Sequence, residues 1–250
     1  AFVAPENGMD VFEIESSGEK IVLRGNTPVS IASALNHYLK TICRCHISRN
    51  GDQLSLPAPL PLVPAKIRVV SPHRVRFFYN PCTFGYTSAW WDWDKWQREI
   101  DHLAMEGVNV AQVIPGTEKV FLTTLRDHFG YTDAEVRAWL CMPTHLPWML
   151  LANMHSFGGP VPSALIEARA TLGRQICDRM RSLGMSPMVQ GFYGMVPQDF
   201  KTRYPAADVR AQGTWAGGLQ RPNMLNPTDP VFNTFTTHYA TALNEVFGPV

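Results

Sequence analysis

Seven residues of this 250-residue chain combine side chains that could do chemistry together: Asn80, Cys82, Glu118, Trp148, Asn153, His155 and Trp215. Indole rings stack on the apolar face of a pyranose, while amide, imidazole and carboxylate groups bond its hydroxyls, so the mixture suits a saccharide. Each residue also has a plainer reading. Asn80 is a turn-stabilising type, and Cys82 is a small thiol that packs well when buried. Glu118 follows a glycine and a threonine, as a hydroxyl acceptor or as a surface acid on a loop. A lone histidine such as His155 commonly orients a loop through its ring nitrogens, and Asn153 beside it can do the same. Trp148 and Trp215 serve either as stacking platforms or as core anchors.

Other chemistries find less support. Five cysteines form no even-numbered framework, and Cys43-Arg44-Cys45-His46 lacks a second ligand pair at zinc spacing, so neither a disulfide scaffold nor a metal is expected. A formal net charge of +1 with scattered Lys and Arg leaves no electrostatic footprint for nucleic acid. No apolar run approaches the ~20 residues needed to cross a bilayer, so no membrane span is expected.

The elements that must position the seven follow from periodicity. Residues 1–56 read as a small α/β domain with strands at 11–15 and 21–23. Its helix opens at Thr27-Pro28, with Ile31, Leu35, Tyr38 and Leu39 on the apolar face, and a hairpin turns at Asn50-Gly51. Prolines at 57, 59, 61 and 64 mark 57–73 as a stiff linker. Residues 74–250 repeat one theme: strands at 75–79, 108–114 and 188–192, each followed by a helix, with the helices stopping at Gly107, Gly184 and Gly248. The third of these helices opens at Asp229-Pro230 with Phe232, Phe235, Tyr239 and Leu243 inward. Such units pair in parallel with right-handed crossovers, in a doubly wound sheet or a (β/α)₈ barrel. Ligands then meet the C-terminal strand ends, where all seven candidates fall. The chain stops where a fourth strand is due, so a fragment with an uncovered apolar edge is expected.

A longer pattern resembles a known family. Arg76-Phe77-Phe78-Tyr79-Asn80-Pro81-Cys82-Thr83 is followed by Trp90-Trp91-Asp92-Trp93 and by Trp96-x-Arg98-Glu99-Ile100-Asp101. Asn153-x-His155, Gly159-Pro160-x-Pro162, Gly184-Met185-x-Pro187, Pro197 and Gly213-x-Trp215 then continue in order. This series resembles family 89 of the glycoside hydrolases over nearly the whole chain. The resemblance implies an α/β fold with a small N-terminal α/β domain and, after it, the first three βα units of a (β/α)₈ TIM barrel. It implies a retaining exo-enzyme that removes terminal, non-reducing α-linked N-acetylglucosamine from glycans, without metal or organic cofactor. The family's acid/base and nucleophile glutamates are expected beyond this segment, leaving the chain alone inactive, because retaining hydrolysis needs two carboxyl groups ~5–5.5 Å apart. The missing remainder of the barrel and a C-terminal helical domain are the expected partners, and an extracytoplasmic location is expected. Where Thr117 stands the family usually has glutamine, which puts local hydrogen bonding in doubt. The alternative is a non-catalytic sugar-binding or scaffold chain that pairs with another polypeptide.

Overall fold

The computed structural model describes residues 2–249. Near the start, β1 (Val11–Ser17) and β2 (Lys20–Gly25) form an antiparallel pair with Ile14 opposite Leu23, burying Val11 and Ile14 completely. Thr27 caps α1 (Pro28–Thr41) by accepting from the Ser30 amide at 3.1 Å, with Pro28 at the first helical position where its missing donor costs nothing. The inward face is turned slightly from the expected one. Ala34 is fully buried, whereas Leu35 is 40% exposed, and Tyr38 and Leu39 complete the face. β3 (His46–Ser48) and β4 (Gly51–Gln53) form the hairpin expected around Asn50-Gly51.

Within the stretch read as linker, residues Ile67–Val70 form β5, which pairs antiparallel with β1 so that Ile14 faces Ile67. The prolines upstream masked four residues too short to show alternation. Tyr38 donates its hydroxyl to the Pro61 carbonyl at 2.9 Å, and Val63 joins Ile14, Cys43 and Cys45 in one core. Part of the proline-rich stretch is therefore packed in place.

The next strand, β6 (Phe77–Phe78), leads through the single turn α2 (Thr83–Tyr86) into α3 (Trp93–Met105), which buries Trp96, Ile100 and Leu103. β7 (Val110–Gln112) lies parallel to β6, with Phe77 opposite Val110. Three helices follow β7: α4 (Thr117–His128), α5 (Asp133–Trp139) and α6 (Leu146–Met149). α5 opens on a capping box between Thr132 and Glu135. The long α7 (Ser163–Ser182) returns the chain to β8 (Ser186–Met188), which completes a sheet of order β6-β7-β8. All three strands are shorter than their apolar runs. The third ends at Met188, where strand was expected to begin, because the chain beyond it bends to place the Gln190 and Tyr193 side chains as donors to the Leu150 carbonyl.

The last stretch holds β9 (Met195–Val196), the turn α8 (Phe200–Arg203), β10 (Val209–Arg210), and the hairpin of β11 (Thr214–Trp215) and β12 (Leu219–Gln220). β13 (Asn223–Leu225) lies between β10 and β9 in an antiparallel sheet, and α9 (Pro230–Phe247) follows. Asp229 caps α9 by accepting from the Val231 amide at 2.8 Å. Phe235, Tyr239, Leu243 and Phe247 are buried while Phe232 is only half-buried, and ring pairs Phe121–Tyr239 (5.1 Å) and Phe129–Phe235 (4.5 Å) join α9 to the α4 segment.

Two compact units result. The first holds the chain up to Phe78 with Trp93–Ala111 and Asp178–Pro187; the second holds Tyr79–Asp92, Gln112–Cys177 and the chain from Met188 onward. Within the first, Asn36 on α1 donates to the Met105 carbonyl at 3.0 Å, and Arg49 grips Glu99 with two nitrogens, so α3 packs with the N-terminal elements. Every candidate residue lies in the second unit.

Candidate functional site

The turn after β6 is built by Asn80. Its Oδ1 accepts from the Cys82 amide at 2.8 Å and its carbonyl accepts from Thr83, which starts α2. Asn80 is exposed and Cys82 is a half-buried free thiol. α2 ends in Tyr86, 81% exposed, whose ring meets Trp148 edge-to-face at 5.0 Å. The helix can approach Trp148 this closely because residue 85 is glycine: a Cβ there would lie 2.2 Å from the indole Cζ3.

Trp148 projects from the single turn α6, and its carbonyl accepts from the Asn153 amide, so the loop folds back beside the indole. Asn153 Oδ1 accepts from Arg221 at 3.2 Å, leaving the amide nitrogen without a partner among the described residues. His155 pairs through Nδ1 with Ser156 Oγ at 2.7 Å, while its Nε2 is buried with no hydrogen-bond partner. Burial pushes the His155 pKa below its ordinary value of 6.5, so the ring is neutral at neutral pH.

Trp148 and Trp215 share a cavity of about 430 Å³, which Tyr86, His145 and Phe157 also line, with Met154 and Leu219. Two of the seven candidates thus meet in one pocket. Asn80 and Cys82 stand at the turn that feeds its α2 wall, and Asn153 and His155 flank Met154. Sequence reasoning missed Tyr86 and His145 as lining residues. Tyr86 was visible at the strand end, but nothing in the spacing singled out His145 before Leu146-Pro147.

Glu118 is not the surface acid of its plainer reading. It is fully buried, at 0% exposure, and does not line the cavity. Its Oε2 accepts from the Gly116 amide at 3.0 Å, and its Oε1 accepts from Arg169 Nε, whose Nη1 donates to the Ala89 carbonyl at 3.0 Å. Gly116 adopts φ 103°, which turns the chain so that the first residues of α4 point back at the strand end. The helix N-terminus also favours a carboxylate there. Glu118 is therefore half of a buried ion pair joining the β7 end, α7 and the loop before α3, with both carboxylate oxygens engaged inside the protein.

Chemically, aromatic walls with few polar groups bind a sugar ring and fix its face. No Asp or Glu lines this cavity among the described residues, so the pocket offers binding groups without an acid pair.

Comparison with known proteins shows the family. Residues 76–250 match the family model described as the alpha-N-acetylglucosaminidase tim-barrel domain, and residues 2–62 match the alpha-N-acetylglucosaminidase N-terminal domain. Alpha-N-acetylglucosaminidase of Homo sapiens is 33% identical over 250 residues, covering 98% of this chain and 34% of the human protein. A family 89 glycoside hydrolase from Clostridium perfringens, solved with 2-acetamido-1,2-dideoxynojirmycin, aligns at TM-score 0.94 and 39% identity over 100% of this chain and 29% of that one. A doubly substituted form of the Clostridium perfringens enzyme, solved with its substrate GlcNAc-alpha-1,4-galactose, gives the same TM-score and identity over 99% and 29%. The chain spans about a third of the length of these relatives.

Proposed function

The chain belongs to the alpha-N-acetylglucosaminidase family, glycoside hydrolase family 89, and from that premise we propose that it is the N-terminal part of a retaining exo-hydrolase of terminal α-linked N-acetylglucosamine. In this reading β6, β7 and β8, with α3, α7 and α9, are the first three βα units of a (β/α)₈ barrel, behind a small N-terminal α/β domain. Trp148 and Trp215 stack on the sugar. Asn80, Cys82, Asn153 and His155 stand around it, with the Asn153 amide nitrogen offered to a hydroxyl. Glu118 serves by holding the strand end in place.

The observation that carries the reading is the cavity walled by Trp148, Trp215, Tyr86 and Phe157. Retaining hydrolysis needs one protonated carboxyl to assist departure and one ionised carboxylate to attack, ~5–5.5 Å apart. Both are supplied by a longer polypeptide, which also completes the barrel and adds a helical domain. Two carboxylates suffice for oxocarbenium chemistry, so no metal or organic cofactor is called for. An extracytoplasmic location suits such an enzyme.

The test is hydrolysis of chromogenic α- and β-N-acetylglucosaminides by this chain alone, beside the longer polypeptide. Cleavage of only the α-anomer by only the longer protein is the expected result. Cleavage by this chain unaided would require a catalytic acid within it. Binding without cleavage by either protein would favour the non-catalytic alternative.

A further inference from the structure

His145 is a polar group of the cavity that the fold does not consume. It occupies the N-cap position of α6, yet its side chain makes no capping hydrogen bond. Instead Nδ1 pairs with Thr144 Oγ1 at 2.9 Å, and the Phe157 ring lies against the imidazole with centroids 4.2 Å apart. The Trp148 ring borders it at 6.4 Å. An imidazole tied at one nitrogen and packed on its face has its other nitrogen aimed by those contacts. That nitrogen, Nε2, has no partner among the described residues, and His145 lines the cavity.

The remaining walls can stack or pack, but most cannot orient a ligand. Phe157, Met154 and Leu219 carry no hydrogen-bonding side chain able to fix a hydroxyl, and Tyr86 stands largely in solvent. Mostly apolar pockets take their specificity from a small number of placed polar groups. Resting on the reading of this cavity as a sugar subsite, we propose that His145 is a specificity-determining residue that presents Nε2 to one hydroxyl of the pyranose held against Trp148 and Trp215.

The chemistry of the partner follows from the ring. Burial holds the imidazole below its ordinary pKa of 6.5, so near neutrality one nitrogen donates and the other accepts. A hydroxyl can take either role, as can that of Thr144, which also lines the cavity and pairs with Nδ1. The pair of hydroxyls therefore accommodates either tautomer, and a sugar carbon without its hydroxyl leaves Nε2 unsatisfied.

Three variants of the longer polypeptide that carries this chain separate a ligand contact from a structural one. His145→Phe keeps the ring packing on Phe157 and removes both nitrogens. His145→Asn places an amide near Nδ1, and His145→Gln places one near Nε2. A lost hydrogen bond of ordinary strength corresponds to about tenfold, so KM for the α-N-acetylglucosaminide should rise roughly tenfold in the Phe and Asn variants with kcat nearly unchanged. The Gln variant should stay within about threefold of the parent. In a series of monodeoxy substrates, the parent should penalise one position and the Phe variant should be indifferent to it. Rescue by Asn and not by Gln would assign the imidazole to Thr144 and overturn the proposal. Equal KM in all four proteins would also overturn it. A folded parent that neither binds nor cleaves the glycoside would instead bring down the sugar reading itself.

Discussion

Removing the Glu118 carboxylate should destabilise the second unit far more than it affects sugar affinity. Glu118 is fully buried and Arg169 is 6% exposed, so neither charge has water to fall back on. In Glu118→Gln the side-chain oxygen still accepts from Gly116, but Arg169 keeps a buried charge without a counter-ion. Breaking a buried pair from one side costs about 3–5 kcal/mol, and Gln should sit near the lower end because one acceptor survives. For a protein of this size each kcal/mol moves the melting temperature by roughly 2–4 °C, so a loss of about 6–12 °C is expected. The double substitution Glu118→Leu with Arg169→Met removes both charges. It should recover much of the loss, since apolar replacement of a buried pair is often neutral. Thermal melts of the two variants and the parent, followed by far-UV circular dichroism, provide the measurement. A melting point within about 1 °C of the parent for Glu118→Gln, with a tenfold weaker KM, would refute the structural role and return Glu118 to the sugar site.

Three further outcomes follow from the same geometry. Gly85→Ala should drive the Trp148 ring from its seat, since the added Cβ would stand 2.2 Å from Cζ3; near-UV circular dichroism should change and stability fall by about 1–3 kcal/mol. Trp148→Ala and Trp215→Ala should each weaken saccharide binding by about tenfold, read by titration calorimetry, whereas loss of all folded signal would mark them as core anchors. The His128 and His238 rings stack at 3.6 Å, and the His238 pKa lies below 6.5 because of burial and then the neighbouring His128 charge. The unfolded chain therefore binds the proton more readily than the folded one. Stability contributed by neutral His238 is present above pH 6.5 and is lost as pH falls through its lower folded pKa. Urea midpoints measured between pH 7.5 and 5 should decline less in His238→Phe than in the parent.

Helices with strong termini were legible at the level of single residues. Thr27-Pro28 and Asp229-Pro230 open α1 and α9 with the expected side-chain caps, and Gly107, Gly184 and Gly248 lie just beyond helix ends. Strands were less legible because local pattern does not encode pairing. Val108–Ile114 reads as one apolar run, yet only Val110–Gln112 is strand. The third strand was expected at 188–192 but forms at Ser186–Met188, where the Ser186 amide finds the Asn109 carbonyl at 2.8 Å. α4 was missed for another reason. Its buried side includes Thr117, Glu118 and Thr124 beside Val120, Phe121 and Leu125, so its inward face does not read as apolar.

The candidate site shows the same division between residue type and residue placement. Trp148 and Trp215 are 67 positions apart and meet in one cavity, a convergence that no spacing rule anticipates. Their type alone marked them for notice, because an indole that ends in an irregular segment serves few purposes besides anchoring and stacking. Glu118 shows the limit of type alone. An acid two residues past a strand-end glycine looks available for a hydroxyl until its partner is known, and that partner, Arg169, lies 51 residues away on α7. The turn at Gly116 brings the carboxylate back toward its own strand end. With φ at 103° the chain reverses, Gly116 donates to the carboxylate, and Arg169 closes over it. That one backbone angle turns the Glu118 carboxylate toward the interior, while the cavity is walled by rings, the His145 imidazole among them.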